Sequence, residues 1–215
     1  RALGLSVRCV ESGKAALRLN EQVSPVLTLV ATDLPDIHAL DMCRRLRGQS
    51  DRPLIVLSDA TDELDRVLAL ELGADDVIGE RCRTEELRER VKAALRRSNS
   101  LLLDQSQREV MDFGRIVIDR STRCLIVDDR CCELTQMECD LFWALAEHAG
   151  QVVESGYLLE TVWGYPRGIK TRTLDVHIGR LRRKLGEDGK SPRHIITVRS
   201  VGFRFDPGEE LRADD

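Results

Sequence analysis

The chain has 215 residues, of which 42% are hydrophobic and 33% charged, and its formal net charge is −4. This length suits two domains of about 100 residues, each with its own core. No apolar run approaches the roughly 20 residues that cross a bilayer, and the first twelve residues lack the apolar core of a secretory signal. We therefore predict a cytoplasmic protein.

The first half of the sequence alternates between strand and helix patterns. The apolar periodicity predicts strands at 7–10, 26–30, 54–57 and 77–78, and helices at 12–19, 40–46, 61–72 and 84–97. Such alternation predicts a parallel sheet covered by helices, in the flavodoxin-like doubly wound order 2-1-3-4-5. The central first strand of that order has no counterpart here, and we expect a stretch of about twenty residues, the usual βα unit, to be missing before residue 1.

The strand at 26–30 runs directly into Ala31, followed by Thr32 and Asp33. Open α/β sheets keep their chemistry at the carboxyl ends of their strands. Because an alanine side chain carries no functional group, we predict that the site at this strand end has lost its chemical activity. Asp33 is the obvious candidate to replace the missing carboxylate, and it lies two residues beyond the strand end.

The middle of the chain, residues 98–112, mixes polar residues with a short apolar run and predicts a linker. Short strands follow between 113 and 134. Thr135 then opens a helix with Glu138 three residues later, which is a capping box. A second helix is predicted at 155–162, a third begins near residue 170, and a hairpin turns at 200–202.

The positive charge is concentrated near the C-terminus, where residues 167–204 contain eleven Lys or Arg and three acids. In the helix at 171–185 the spacing predicts a buried stripe of Leu174, Ile178, Leu181 and Leu185. The opposite side is predicted to face outward with Thr173, Val176, His177, Arg180, Arg183 and Lys184. Such a helix fits the major groove of DNA and an arginine on a neighbouring hairpin fits the minor groove, although a cationic surface is more often merely solvated.

Motifs in order along the second half carry a specific resemblance: V-W-G, D-V-H-I, L-R-R-K-L and T-V-R-S-V-G-F-R-F. Together they resemble the winged-helix effector domain of OmpR/PhoB-type response regulators. The resemblance implies base contacts from Arg180 and from His177 or Thr173, with Arg199 in the minor groove. It implies phosphate contacts from Trp163, Arg172, Arg182, Arg183 and Thr197. It further implies that the loop at 163–169 faces RNA polymerase, while Gly179 departs from a position where the family often has arginine.

The first half, through CRRLRGQSDRPLIVLSDATDELDRVLALELGADD, resembles the receiver domain of the same family. That resemblance aligns Ala31 with the phosphoacceptor aspartate and Glu80 with the lysine that pairs with the phosphoryl group. Ser58 keeps the hydroxyl of the switch position, and Val77 replaces the usual aromatic residue. The domains implied are a receiver-like domain at 1–97, a linker at 98–112, a winged-helix domain at 113–207 and a tail at 208–215.

Receivers of this family dimerise through crossed ion pairs, and the matching positions here hold complementary charges. Because the paired positions lie on different helices, we predict a homodimer that forms without phosphorylation and binds tandem half-sites on double-stranded DNA. Exposed pairs contribute only about 0–1 kcal/mol each, so they set register more than affinity. The predicted pairs are Arg66 with Glu86, Asp76 with Arg90, Asp75 with Arg97, and Glu71 with Lys92.

Two alternatives stay open: phosphorylation at Asp33, and a first half that binds a small ligand or a protein partner. An enzyme is not predicted, because no nucleophile–base pair or phosphate-binding glycine loop is found. No cofactor is predicted either. The seven cysteines show no zinc-ligand spacing, so buried reduced thiols are expected rather than a metal site. The Cys131–Cys132 pair is interpreted as small residues on a strand or turn rather than as a redox sensor.

Overall fold

Two compact units divide the chain, one spanning Arg1–Ser98 and the other Asn99–Asp215. A computed structural model describes residues 4–59, 63–79, 81–100, 109–166, 168–169, 171–188 and 191–208, with the backbone alone at 96–100.

The first unit is built around a parallel sheet in the order β1-β2-β3, which covers the last three strands of the predicted flavodoxin-like order. Its strands are β1 (Thr28–Ala31), β2 (Leu54–Leu57) and β3 (Asp76–Ile78), and its helices are α1 (Gly13–Val23), α2 (Ala39–Gln49), α3 (Glu63–Glu71) and α4 (Thr84–Ser100).

Local sequence explains how α1 begins and how α2 and β2 contribute to the core. The Ser12 side chain accepts the Ala15 N–H at the start of α1, which is the usual role of a serine at this position. Helix α2 buries Ala39, Met42, Cys43 and Leu46, an i, i+3, i+4, i+7 stripe that faces the sheet. The apolar strand β2 runs through the middle of this core, with Leu54, Ile55 and Val56 all buried.

The strand predicted at 7–10 is wrong, because this segment is irregular and Val7 is 70% exposed. In the order 2-1-3-4-5 the second strand pairs only with the first. Among the described residues no strand occupies that first position, so the backbone at 7–10 has no ladder partner.

The described residues of the second unit form two antiparallel sheets and three helical segments. One sheet has the order β4-β5-β6-β7 and the other β8-β10-β9. The strands are β4 (Val110–Asp112), β5 (Ile116–Asp119), β6 (Cys124–Val127), β7 (Arg130–Glu133), β8 (Val152–Glu154), β9 (Ile195–Val198) and β10 (Gly202–Phe205). The helices are α5 (Gln136–Ala146), α6 (Ser155–Leu158), which continues as a π-helical turn over Leu159–Trp163, and α7 (Thr173–Lys184).

The linker was predicted to reach residue 112, but its last three residues form β4. Met111 pairs with Ile118 of β5 and packs on the core of the second unit, which draws this end of the segment into the sheet. Residues 101–108 of the predicted linker lie outside the described residues.

The three helices and the β9–β10 hairpin enclose one apolar core. The capping box predicted at Thr135 and Glu138 is present, with both reciprocal bonds made. Phe205 is fully buried between the rings of Phe142 and Phe113, at centroid distances of 5.0 and 5.2 Å. At Gly202 a Cβ atom would lie 1.9 Å from the Val153 carbonyl oxygen, so only glycine lets β10 pair closely with β8.

The cysteines depart from the expectation of reduced thiols. Cys124 and Cys131 form a disulfide across the β6–β7 hairpin, and Cys131 is exposed. The sequence spacing of the two cysteines did not reveal this disulfide, because it depends on the register of the two strands. Cys131 pairs with Ile126, and Cys124 lies two residues before Ile126 on the same face of the sheet, so the two cysteines are diagonal neighbours.

Candidate nucleic-acid interface

Exposed cationic and hydroxyl groups lie at both ends of α7 and on the β9–β10 hairpin. Arg172 and Arg183 are exposed on the helix, and Thr197 and Arg199 are exposed on the hairpin. Arg172 lies 3.7 Å from the Asp175 carboxylate, which is also exposed. These four residues have the accessibility that contacts to a phosphate backbone require.

Arg182 links the helix to the hairpin. Its guanidinium donates two hydrogen bonds to the Ile195 carbonyl, at 2.9 and 2.6 Å, and one of 2.8 Å to the Thr197 hydroxyl. Partial burial lowers the pKa of Arg182 from its ordinary value. The negative charges of Glu187 and Asp175 act in the other direction and raise this pKa, but burial has the larger effect. In this structure Arg182 therefore fixes the position of the hairpin relative to α7.

The expectation that the side of α7 opposite its apolar stripe faces outward is wrong for most of its members. Arg180 is 8% exposed, and Thr173, Val176 and His177 are buried as well. Lys184 is half-buried, with its ammonium 2.7 Å from a carboxylate oxygen of Glu138. Since Arg180 and Lys184 are four residues apart, they share one edge of the helix, and that edge lies over the start of α5 rather than facing solvent.

Trp163 is also buried, with 3% of its surface exposed. Its ring packs edge-on against the His177 ring, with centroids 5.0 Å apart. The other side of the His177 ring is fixed by a 2.8 Å hydrogen bond between Nδ1 and the Thr173 carbonyl. The predicted base contacts Thr173 and His177 thus belong to a packed cluster in this structure.

Glu138 and Lys184 have a role that the sequence pattern showed only in part. Glu138 accepts the Thr135 N–H as the capping box requires, and it also pairs with Lys184. Burial raises the pKa of Glu138, but the Lys184 charge and these hydrogen bonds outweigh it and hold the pKa below its ordinary value. The capping signal identified Glu138, whereas its long-range partner could not be seen in the sequence.

The loop at 163–169 is divided between core and surface. Tyr165 is almost fully buried, while Pro166 and Gly168 are exposed. Arg167 and Lys170, which contribute to the basic segment, lie outside the described residues.

The carboxyl end of the parallel sheet brings Ala31 and Ser58 to one edge. Ala31 ends β1 and pairs with Leu57 at the end of β2. Ser58 follows immediately, is 4% exposed and donates its N–H to the Ile78 carbonyl at 2.8 Å. Glu80, the third residue predicted here, lies outside the described residues.

One of the acidic residues after β1 has a structural role, because it caps a helix. Asp36 accepts the N–H groups of Gly13 and Lys14 at 2.7 and 3.0 Å, and so caps α1. The hydrogen bond from Lys14 is the largest cause of a lowered pKa for Asp36. Asp33, the alternative phosphoacceptor, is exposed.

Several charges predicted at a dimer interface are paired within the chain instead. Arg90 bonds Asp76 at 2.9 Å and Glu86 at 2.5 Å. Asp75 bonds Arg47 at 2.6 Å and accepts the Leu54 N–H. Asp75 and Asp76 are each 3% exposed at the start of β3, and buried carboxylates require partners close by.

The remaining residues of the predicted interface differ in accessibility. Lys92 pairs with Glu89 of its own helix at 2.7 Å. Arg66 and Glu71 are exposed on α3. The side chain of Arg97 lies outside the described residues.

Within the described ranges, no cluster of three or more His, Cys, Asp or Glu is arranged to hold a metal ion. Among the same residues, no helix combines the length and apolar character needed to cross a membrane.

Comparison with known families matches both halves of the chain. Residues 1–92 match the response regulator receiver domain, and residues 129–205 match the C-terminal domain of transcriptional regulatory proteins. These matches confirm the predicted fold class, a flavodoxin-like receiver domain followed by a winged-helix domain.

Relatives cover almost the whole chain. The chain is 36% identical over 207 residues to proteins called DNA-binding response regulator MtrA from Mycolicibacterium smegmatis and Mycobacterium tuberculosis, which covers 96% of this chain and 89% of each relative. A solved structure of a RitR mutant is 28% identical with a TM-score of 0.66, and the match covers 93% of this chain and 86% of that one.

Proposed function

Because this chain belongs to the OmpR/PhoB-type response regulators, we propose that it is a transcription regulator that binds double-stranded DNA through its second unit. The observation that carries the proposal is the combination of this family match with the exposed cations Arg172, Arg183 and Arg199 on one helix and its neighbouring hairpin. The relatives named as DNA-binding response regulators support it.

Within this proposal the contacts divide by accessibility. Arg172, Arg183 and Thr197 bind phosphates, and Arg199 enters the minor groove. Arg180, with His177 or Thr173, reads bases in the major groove, which requires that their covered edge of α7 becomes accessible when DNA binds. Arg182 acts chiefly through the hairpin that it holds, and Trp163 through the packing of His177.

The test is selection of preferred sequences from a random duplex library, followed by binding measurements over a range of salt. We expect the wild type to enrich a tandem repeat. Arg183→Ala should weaken binding to enriched and scrambled duplexes alike and reduce the salt slope by about 0.9, the value for one phosphate contact. Arg180→Ala should instead lose about 1–3 kcal/mol of discrimination between the two duplexes.

The matched control is Arg45→Ala, which removes an exposed arginine from α2 of the first unit. Its binding should equal that of the wild type. Failure of the wild type to enrich any duplex, or an equal loss in Arg45→Ala and Arg183→Ala, would contradict the assignment.

We further propose that the first unit works without aspartyl phosphorylation. Ala31 at the end of β1 offers no carboxylate, and the nearby Asp36 is used as a helix cap. Self-association would use the exposed face of α3, where Leu64 and Leu68 are 62% and 38% exposed beside Arg66 and Glu71. The exposed Pro166 and Gly168 would be offered to RNA polymerase.

Incubation with acetyl phosphate separates this proposal from phosphorylation at Asp33. We expect no phosphoryl adduct in the intact mass, and light scattering should give a dimer with or without the phosphodonor. A single adduct that disappears in Asp33→Asn would favour the phosphoacceptor alternative. A dimer that forms only after acetyl phosphate is added would also refute phosphorylation independence.

A further inference from the structure

The β6–β7 hairpin carries a disulfide on its outer face. Cys124 is half-buried and Cys131 exposed, and their Cα atoms are 5.9 Å apart, a usual separation for such a bond. The buried residues Leu125 and Val127 alternate with Cys124 along β6, so the disulfide lies on the side away from the core. Because it lies at the surface, a thiol in solution can reach it.

The same hairpin holds the last turn of α7. Arg130 donates to the Lys184 carbonyl at 3.3 Å, and the Cys132 thiol lies 3.6 Å from the same oxygen. The Lys184 ammonium in turn donates to the Glu133 carbonyl. The last carbonyls of a helix lack partners within the helix, so β7 supplies contacts that the end of α7 needs.

These contacts lie beside the residues proposed to bind DNA. Arg183 immediately precedes Lys184, and Arg182, which fixes the β9–β10 hairpin, precedes it by two residues. A change in the mobility of β7 is therefore expected to change the mobility of the last turn of α7, which carries proposed phosphate contacts.

We propose that Cys124 and Cys131 form a reversible thiol–disulfide site whose redox state controls how firmly the end of α7 is held, and thereby the affinity for DNA. The DNA part of this inference rests on the proposed function. In the disulfide form β7 is tied to β6, the last turn of α7 is held, and DNA binds more tightly. In the dithiol form the hairpin is freer and the affinity falls.

The reaction partner is a small dithiol or a protein dithiol. Its thiolate attacks one sulfur of the Cys124–Cys131 bond to form a mixed disulfide, and its second thiolate then releases the other cysteine. The partner loses two electrons and leaves as a disulfide, while Cys124 and Cys131 each take up a proton. Exchange of the two thiols with an oxidised partner disulfide reverses the reaction.

Two other cysteines are expected to be unreactive in the folded protein. Cys43 and Cys139 are fully buried, and burial raises the pKa of these thiols to about 11 and about 12. Thiolates react and thiols do not, so both should resist exchange and alkylation while the protein is folded. They provide an internal control for the labelling experiment.

The test titrates the full-length protein with mixtures of reduced and oxidised dithiothreitol. Alkylation and peptide mass mapping should show Cys124 and Cys131 changing together, with Cys43 and Cys139 unlabelled. Hydrogen exchange of the amides at 181–185 should quicken in the dithiol form. The affinity for the enriched duplex should fall by at least about fivefold, the lower end of typical couplings between linked sites.

The variant Cys124→Ser/Cys131→Ser should behave as the reduced protein at every potential, and Cys9→Ser, which removes an exposed thiol of the first unit, should behave as the wild type. Reduction of the wild type gives the same comparison if the double variant does not fold. Equal exchange at 181–185 and equal affinity in both redox states would overturn the inference. If neither form binds any duplex, the proposed function fails, and hydrogen exchange at 181–185 still decides whether the disulfide controls α7.

Discussion

A Phe205→Ala variant is expected to lose about 3–5 kcal/mol of the free energy of unfolding of the second unit, the usual cost of emptying an aromatic site in a core. Phe205 is fully buried, ends β10 and contacts the rings of Phe142 and Phe113. A typical domain is stable by only about 5–15 kcal/mol. The variant should therefore unfold at much lower urea and lose DNA binding with its fold.

Tryptophan fluorescence measures this effect selectively, because both tryptophans of the chain, Trp143 and Trp163, lie in the second unit. The control is Val201→Ala, at the exposed turn of the same hairpin, which should change the stability by less than about 0.5 kcal/mol. Similar urea midpoints for Phe205→Ala and Val201→Ala would show that Phe205 does not support the core as described.

An Arg47→Met variant is expected to destabilise the first unit by about 3–5 kcal/mol, because it leaves the buried Asp75 carboxylate without its charge partner. Asp75 is 3% exposed and lies 2.6 Å from the Arg47 guanidinium. The same guanidinium donates to the Gly73 carbonyl at 2.9 and 2.7 Å, so the turn before β3 loses its support as well. Hydrogen exchange of the β2 and β3 amides should quicken strongly.

Two comparisons isolate the charge effect. Arg45→Met, on the same helix but exposed, should leave the exchange unchanged. Arg47→Met combined with Asp75→Asn should recover part of the loss, since the amide oxygen still accepts the Leu54 N–H and no buried charge remains. Equal protection of the β2 and β3 amides from exchange in Arg47→Met and Arg45→Met would contradict the prediction. So would a result in which Arg47→Met shifts the unfolding of the second unit, followed by tryptophan fluorescence, and leaves the first unit unchanged.

Features determined by residues close in sequence were predictable. The Thr135–Glu138 capping box needs only four residues, and the structure contains it as predicted. The stripe from Leu174 to Leu185 follows from helical spacing, and all four of its members are buried. The motifs of the second half identified the family because they are local strings in a fixed order.

Features that depend on distant neighbours were mispredicted or missed. Helical spacing placed Arg180 opposite the apolar stripe, but spacing within one helix does not decide whether another segment of the fold covers that edge. Asp75 was assigned to a partner subunit, whereas folding brings Arg47 to it from 28 residues away. Alternation at 7–10 indicated a strand, but a strand also needs a neighbour to pair with.

The sequence by itself determined the two-part organisation, the order of most helices and strands, the basic helix and the missing carboxylate at Ala31. The tertiary structure decided which of the charged side chains are accessible, which pair inside the chain, and that Cys124 meets Cys131 across a hairpin. Periodicity reports only where a side chain points relative to its own helix or strand. Burial, ion pairing and cross-linking depend on which other segment arrives there, and that is fixed only when the chain folds.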